Sequence, residues 1–81
     1  MERIERSLIE IEGMAMVGLI EEVTLEDCLE PEGWKKLVAV DTEGRVYETR
    51  CVEPQAAKRN FMVISTYARR WSKQLVEERR V

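Results

Sequence analysis

Two cysteines and the absence of histidine limit the chemistry that this chain could perform. Cys28 and Cys51 are 23 residues apart and form no CxxC pair. Structural zinc sites use mainly Cys and His ligands, so this pattern does not predict one. A reactive thiol needs a neighbouring cation or base, and strand alternation would direct Arg50 away from Cys51. We therefore expect two reduced, small buried residues, with a disulfide as the alternative if the chain is secreted.

Carboxylates are abundant, but their spacing does not predict acid–base catalysis. Neighbours such as Glu21 and Glu22 point in different directions on a regular element, and nothing predicts a buried pocket that would raise their pKa. Glu48, on a predicted strand between Lys36 and Arg50, is best explained by charge neutralisation between strands. The chain has no phosphate-binding loop, nucleophile elbow or dinucleotide fingerprint. We expect neither enzymatic activity nor a cofactor or metal.

The charged residues are distributed unevenly along the 81 residues, whose net charge is −3. Residues 1–32 contain ten acidic and two basic residues, whereas residues 58–81 contain seven basic and two acidic ones. Either the two ends complement each other, within one chain or across a dimer, or the basic end binds an acidic partner such as nucleic acid. The candidate contacts with a protein partner or with nucleic acid are Lys58, Arg59, Arg69, Arg70 and Lys73.

The first segment predicts a helix over residues 2–22, because apolar residues recur at steps of three and four. Ser7 and Glu10 match a capping box, so the regular helix would begin there. Residues 13–20 are apolar almost all round, which is typical of a helix buried on several sides and predicts a dimer interface. A strand through residues 8–12 is the alternative. Thr24 then predicts a second N-cap and a short turn.

Residues 34–53 predict a β-hairpin. Two runs rich in β-branched and aromatic residues, 34–40 and 45–52, flank Asp41-Thr42-Glu43-Gly44, which suits a turn followed by a bulge. Both faces of such a hairpin would be partly apolar, so helices or further strands must cover it. The predicted register pairs Val40 with Val46, Ala39 with Tyr47, Leu37 with Thr49, and Trp34 with Val52.

The last segment predicts a long helix over residues 54–79, with Pro54 in its first turn. A third strand over residues 61–67 is the alternative, because that stretch is rich in β-branched and aromatic residues. The helical pattern continues across it without interruption, which favours the helix. Its apolar seam consists of Ala57, Phe61, Ile64, Ala68, Trp71 and Leu75.

These elements predict one α+β domain over residues 1–81, in the order helix, short turn, β-hairpin, long C-terminal helix. The apolar surface exceeds what a monomer of this size needs, so we expect a homodimer. The predicted interface residues are Met16, Ile20, Phe61, Ile64, Trp71 and Leu75.

The function expected from this sequence is a small non-enzymatic protein-binding module. It would be an adaptor, regulator or inhibitor that binds through its acidic and basic surfaces. Proteins of phage or mobile elements are one group within this class. A dimeric nucleic-acid-binding regulator using the basic face of the last helix is the alternative. No apolar run approaches the roughly 18 residues needed to span a bilayer. Since the first residues also lack the order of a secretory signal, we expect a cytoplasmic protein without a membrane partner.

Overall fold

Two helices and a four-stranded mixed sheet make up the described part of the chain, which in this computed structural model is residues 2–79, with side chains for residues 2–71. The sheet order is β1-β4-β3-β2, in which β1 runs parallel to β4 and the other neighbours are antiparallel. The predicted α+β class is confirmed. In chain order the elements are β1 (Arg3–Glu5), α1 (Leu8–Met16), β2 (Ile20–Asp27), β3 (Lys35–Asp41), β4 (Val46–Glu48) and α2 (Pro54–Arg79).

The N-terminal third differs from the predicted helix over residues 2–22. It forms a short strand, a nine-residue helix and an eight-residue strand. The predicted turn opening at Thr24 is also wrong, because Thr24 lies within β2. The predicted N-cap at Ser7 is confirmed, because the Glu10 amide donates to Ser7 Oγ at 3.2 Å. The Glu10 carboxylate accepts from the Ser7 hydroxyl at 3.1 Å, whereas in a complete capping box it would accept from the Ser7 amide. Residues 8–12 lie in α1, so the alternative strand there is not formed.

Gly18 ends α1 and directs the chain into β2. Its φ of +80° is a left-handed conformation that favours glycine. The amides of Gly18 and Leu19 donate to the carbonyls of Ala15 and Met14 at 3.1 and 2.9 Å, which is the hydrogen-bond pattern of a Schellman motif. The apolar run over residues 13–20 therefore combines a helix end with a strand start, which is why it resembled one continuous buried helix.

The predicted hairpin is confirmed as β3 and β4, but its register shifts near the base. The Thr49 amide still donates to the Leu37 carbonyl at 3.0 Å, as the predicted pairing requires. Beyond that point Val52 pairs with Lys35, whereas the prediction placed it opposite Trp34. The pairs nearest the turn follow the prediction: Val40 with Val46, and Ala39 with Tyr47.

The C-terminal helix has the predicted bounds, and it continues through residues 61–67 where a strand was the alternative. Ala57, Ile64 and Ala68 of the predicted seam are buried, and Phe61 packs against the same core. Leu75 lies outside the residues whose side chains are described. The seam thus faces the chain's own sheet and first helix, because α2 packs on β2, β3 and α1.

The core lies between one face of the sheet and the two helices. That face presents the odd-numbered residues of β3, since side chains alternate along a strand. The opposite face, with the even-numbered residues of β3, is covered by neither α1 nor α2 in the described part of the chain, although Val38 on it is only 6% exposed. The buried core residues are Ile11, Ala15, Ile20, Leu37, Ala39, Tyr47, Ile64 and Ala68.

Cys28 and Cys51 form a disulfide, so the expectation of two reduced, buried thiols is wrong. Their Cα atoms are 6.2 Å apart and both residues are half-buried. The bond joins the end of β2 to the segment that follows β4. These two parts of the chain lie close together because both pair with β3. Disulfides are rare in the cytosol and persist in oxidising compartments, which weighs against the cytoplasmic location that we expected. The location itself stays a prediction.

Candidate functional site

An exposed apolar surface lies where α1 ends. Trp71 of α2 packs against Gly18, since a Cβ at that glycine would lie only 2.8 Å from Trp71 Cδ2. The indole Nε1 donates to the carbonyl oxygen of Met16 at 3.1 Å. The Trp71 ring therefore lies beside the residues on either side of Gly18. We call this surface the end patch, and it consists of Met16, Val17, Leu19 and Trp71.

The apolar side chains of the end patch retain much of their surface exposed to solvent. Val17 retains 63% of its accessible surface, Met16 50% and Leu19 45%. Single exposed apolar residues are ordinary, whereas adjoining ones are typical of a surface that contacts a partner. The end patch holds no ionisable side chain, so it provides contact area and shape rather than chemistry.

The predicted interface residues separate into two groups. Ile20 and Ile64 are 2% and 0% exposed within the single chain, so they have no surface left to offer a second copy. Ile20 and Ile64 belong to the core of the single chain, and not to an exposed surface as we predicted. Phe61 is half-buried and packs against the same core. Met16 and Trp71 lie together in the end patch. Leu75 falls outside the described side chains.

The basic candidate residues lie along α2. Lys58, Arg59, Arg69 and Arg70 are all exposed, and Lys73 lies outside the described side chains. None of the ion pairs formed within residues 2–71 involves these four residues, so the acidic N-terminal region does not neutralise them there. The Arg70 guanidinium lies 6.0 Å from the centre of the Tyr67 ring. Beside that pair, exposed Met62 and Val63 help line a groove of about 300 Å³.

The uncovered face of the sheet carries a cluster of four charges that spans all four strands. Arg3 of β1 donates to both oxygens of Glu26 of β2, at 2.8 and 2.9 Å, and to Glu48 of β4 at 3.2 Å. Lys36 of β3 donates to Glu48 at 2.9 Å, which confirms the predicted neutralisation of Glu48 between strands. We call these residues, Arg3, Glu26, Lys36 and Glu48, the sheet-face ion cluster.

The hydrogen bonds of this cluster stabilise the ionised carboxylates. The bonds from Arg3 hold the pKa of Glu26 below its usual value. The bond from Lys36, followed by that from Arg3, lowers the pKa of Glu48 in the same direction. A general acid or base for use near neutral pH needs the opposite shift. The sheet-face ion cluster is therefore suited to holding the edge strands together rather than to proton transfer.

A groove of about 450 Å³ lies at the start of α1. Arg6 and Arg50 line it, but each arginine already contacts an acidic residue. Arg50 donates to the Glu5 carboxylate at 3.2 Å, and Arg6 lies 3.6 Å from the carboxylate of Glu10. The acidic and basic groups thus offset each other, and the groove presents no surplus of either charge.

Asp41 is the buried carboxylate of the hairpin turn, at 5% exposure. One of its oxygens accepts hydrogen bonds from the amides of Glu43 and Arg45 at 2.9 and 2.8 Å. The other accepts from the hydroxyl of Tyr47 at 2.8 Å, which raises the pKa of that phenol. With both oxygens occupied, Asp41 stabilises the turn and has little capacity left for a ligand.

Sequence reasoning missed two features of these surfaces. The apolar run over residues 13–20 predicts a helix buried in a dimer interface, whereas the helix end at Gly18 decides which of its residues reach the surface. β2 as an edge strand was not predicted at all, although Thr24 and Val23 are β-branched and Leu25 continues the alternation with acidic residues. That alternation was the available signal.

The chain matches no family model, and neither the curated proteins nor the solved structures include a match. Among the described residues, no helix is both long enough and apolar enough to cross a bilayer. The same part of the chain contains no group of three or more carboxylates or cysteines that could hold a metal ion.

Proposed function

We propose that this chain is a small, non-enzymatic protein-binding module, an adaptor, regulator or inhibitor that self-associates as a homodimer. The observation that carries the proposal is the end patch. Its three aliphatic residues are 45–63% exposed, and Trp71 is held beside them by a hydrogen bond and by its contact with Gly18. A fixed aromatic ring within an apolar surface is typical of the centre of a protein interface.

A second copy is the partner that suits the end patch best. A two-fold interface places the same surface of each chain in contact, so a charge close to the axis would lie beside its own copy. Residues 13–20 contain no charged side chain. Two copies of the end patch could therefore approach without repulsion and cover the apolar side chains that one chain leaves exposed.

The uneven charge supports a role in partner selection outside that contact. The exposed acidic residues Glu21 and Glu22 lie at the start of β2, whereas the exposed basic residues lie on α2. Such separated charges select partners and accelerate encounter more than they add affinity. We propose that they determine which protein the dimer binds.

The experiment is the measurement of solution mass by light scattering over a range of protein concentrations. We expect twice the 9.5 kDa of one chain for the native protein, and 9.5 kDa for Val17→Lys. A lysine at the end of a helix is favourable for the helix dipole, so this variant is expected to fold. Leu29→Lys is the matched control, because Leu29 is 98% exposed outside the end patch. A native protein that stays at 9.5 kDa at every concentration would refute self-association.

A second candidate function, binding of nucleic acid, is supported by one observation. The exposed basic residues of α2 contribute to none of the ion pairs within residues 2–71. Light scattering with a mixed-sequence duplex and a single strand at two salt concentrations tests it. Phosphate contacts predict a mass increase that is lost at high salt and in a variant with Arg59, Arg69 and Arg70 changed to Gln. No mass increase at low salt would remove this candidate.

A further inference from the structure

The long edge strand of the sheet leaves a row of backbone groups unpaired. β2 is the last strand in the sheet order, and it has eight residues, whereas β1 at the opposite edge has three. Long edge strands are templates for pairing with another chain, and short ones are not. Of the two edges in the described sheet, β2 is therefore the one able to accept an added strand.

The register identifies which backbone groups point outwards. The Cys28 amide donates to the Trp34 carbonyl, and in an antiparallel pair such bonds recur at every second residue. By that alternation Thr24 and Glu26 bond to β3, as their pairing with Val38 and Lys36 requires. The amide and carbonyl groups of Val23 and Leu25 then point away from the sheet.

A groove of about 250 Å³ runs between this edge and α2. Val23 forms one wall, and Phe61, Ser65 and Ala68 of α2 form the other. Side chains of an added strand would alternate between this groove and the uncovered face of the sheet. The lining is mixed, and its apolar part, formed by Val23, Phe61 and Ala68, suits an apolar side chain at every second position.

The charges beside the groove favour a basic occupant. Glu21 and Glu22 are exposed at its mouth, and neither takes part in an ion pair within residues 2–71. Arg69 is the cation on the opposite wall, so two carboxylates face one guanidinium. Two copies of β2 paired antiparallel about Thr24 would place Glu21 and Glu22 of each chain opposite Asp27 and Glu26 of the other, which disfavours a second copy of this chain as the occupant.

We propose that β2 binds an extended basic segment of another protein by strand addition. The segment would alternate lysine or arginine with apolar residues. Its backbone would pair with Val23 and Leu25, its apolar side chains would enter the groove beside Phe61, and its cations would lie beside Glu22. Backbone hydrogen bonds would provide affinity and the alternating side chains specificity, as in other complexes formed by strand addition. This inference rests on the proposed protein-binding function and names the partner chemistry for one surface.

The test is amide hydrogen exchange of the native protein with a capped heptapeptide of alternating lysine and valine. We expect the exchange of the Val23 and Leu25 amides to slow at least tenfold, because new hydrogen bonds would protect them. The amides of Thr24 and Glu26 already bond to β3 and would change little. The corresponding peptide of alternating glutamate and valine should leave all four amides unchanged.

The charge contribution is tested by the double variant Glu21→Lys and Glu22→Lys, whose side chains are exposed and whose fold circular dichroism would verify. We expect its affinity for the lysine–valine peptide to fall at least about tenfold, since attraction is replaced by repulsion. Glu2→Lys combined with Glu32→Lys is the matched control, because both residues are exposed, neither lines the groove, and the pair carries the same total charge change. Equal affinities for the two variants would overturn the proposal.

Two further outcomes would overturn the inference while leaving the proposed function intact. Peptide binding that leaves Val23 and Leu25 unprotected and is lost in Met62→Lys would place the peptide in the other groove of α2. Protection of Val23 and Leu25 without peptide, increasing with protein concentration, would show that a second copy occupies the edge. Dimerisation through the end patch is measured separately with Val17→Lys, so its failure would not be mistaken for either result.

Discussion

The indole of Trp71 lies against the backbone of Gly18, with Cδ2 only 2.8 Å from where a Cβ would be built on that glycine. The same ring donates from Nε1 to the Met16 carbonyl at 3.1 Å. The last carbonyls of a helix have no partner within it, and here the Schellman bonds and Trp71 supply three partners. A residue of the C-terminal helix thereby secures the end of α1 and fixes the centre of the end patch.

Gly18→Ala is expected to destabilise the fold more than Gly33→Ala. Both glycines have a positive φ, +80° and +86°, which costs an alanine about 1–2 kcal/mol. A Cβ at Gly33 would meet no atom within 4 Å, whereas at Gly18 it would displace Trp71. Displacing a packed side chain adds about 1–3 kcal/mol. Denaturant unfolding of the two variants measures the difference, and equal losses would contradict the close contact with Trp71.

Breaking the bond between Cys28 and Cys51 is expected to lower the free energy of unfolding by about 3 kcal/mol. The bond closes a loop with a sequence separation of 23 residues, and a cross-link of that size restricts the unfolded chain. Thermal unfolding with and without a thiol reductant measures the effect. The double variant Cys28→Ser and Cys51→Ser should match the reduced protein and should not respond to reductant. An unchanged melting temperature after complete reduction would refute this prediction.

The sheet-face ion cluster predicts a loss of stability in acid that depends on Arg3. Glu26 and Glu48 have a pKa below their usual 4.5 in the folded chain, so they bind protons more weakly there than when unfolded. Their stabilising contribution is present above the unfolded-state pKa and is lost as the pH falls through the lowered one. As the pH is lowered from about 5 to about 3, the free energy of unfolding of Arg3→Gln should therefore decrease less than that of the native protein.

The matched control for that experiment is Arg59→Gln. Arg59 is exposed on α2 and lies outside the sheet-face ion cluster, so its loss should leave the dependence on pH unchanged. Denaturant midpoints measured across the acid range would separate the two variants. If both followed the native curve, the hydrogen bonds from Arg3 would have no role in the ionisation of Glu26.

Tyr47→Phe is expected to cost about 1–2 kcal/mol of unfolding free energy, because it leaves one oxygen of buried Asp41 without its donor. Tyr67→Phe is the control, since the hydroxyl of Tyr67 takes part in none of the side-chain hydrogen bonds described for residues 2–71. Urea unfolding of both variants provides the comparison. A Tyr47→Phe protein as stable as the control would show that Asp41 is satisfied without the phenol.

Elements with a complete local pattern were predictable. The apolar seam of Ala57, Ile64 and Ala68 repeats at helical spacing, and the structure buries it as the core side of α2. Asp41 and the glycine three residues later determine a turn within a few residues, so the hairpin register near them could be predicted. Ser7 and Glu10 likewise marked the true start of α1. In each case the residues that interact are close in sequence.

The remaining features required contacts between distant residues. β1 has three residues, and only its parallel pairing with β4 makes it a strand. The apolar run over residues 13–20 suits a buried helix or a helix followed by a strand equally well by periodicity. The choice between them depends on Trp71 packing against Gly18 and on β2 pairing with β3.

The sequence by itself thus determined the α+β class, the hairpin, the C-terminal helix and the separation of charge, because short-range patterns encode them. The tertiary structure alone decided which apolar residues form the end patch, that Cys28 meets Cys51, and that β2 is an edge. Strand order and burial are properties of the whole packed chain, since a side chain is exposed or covered only once distant elements have taken their places around it.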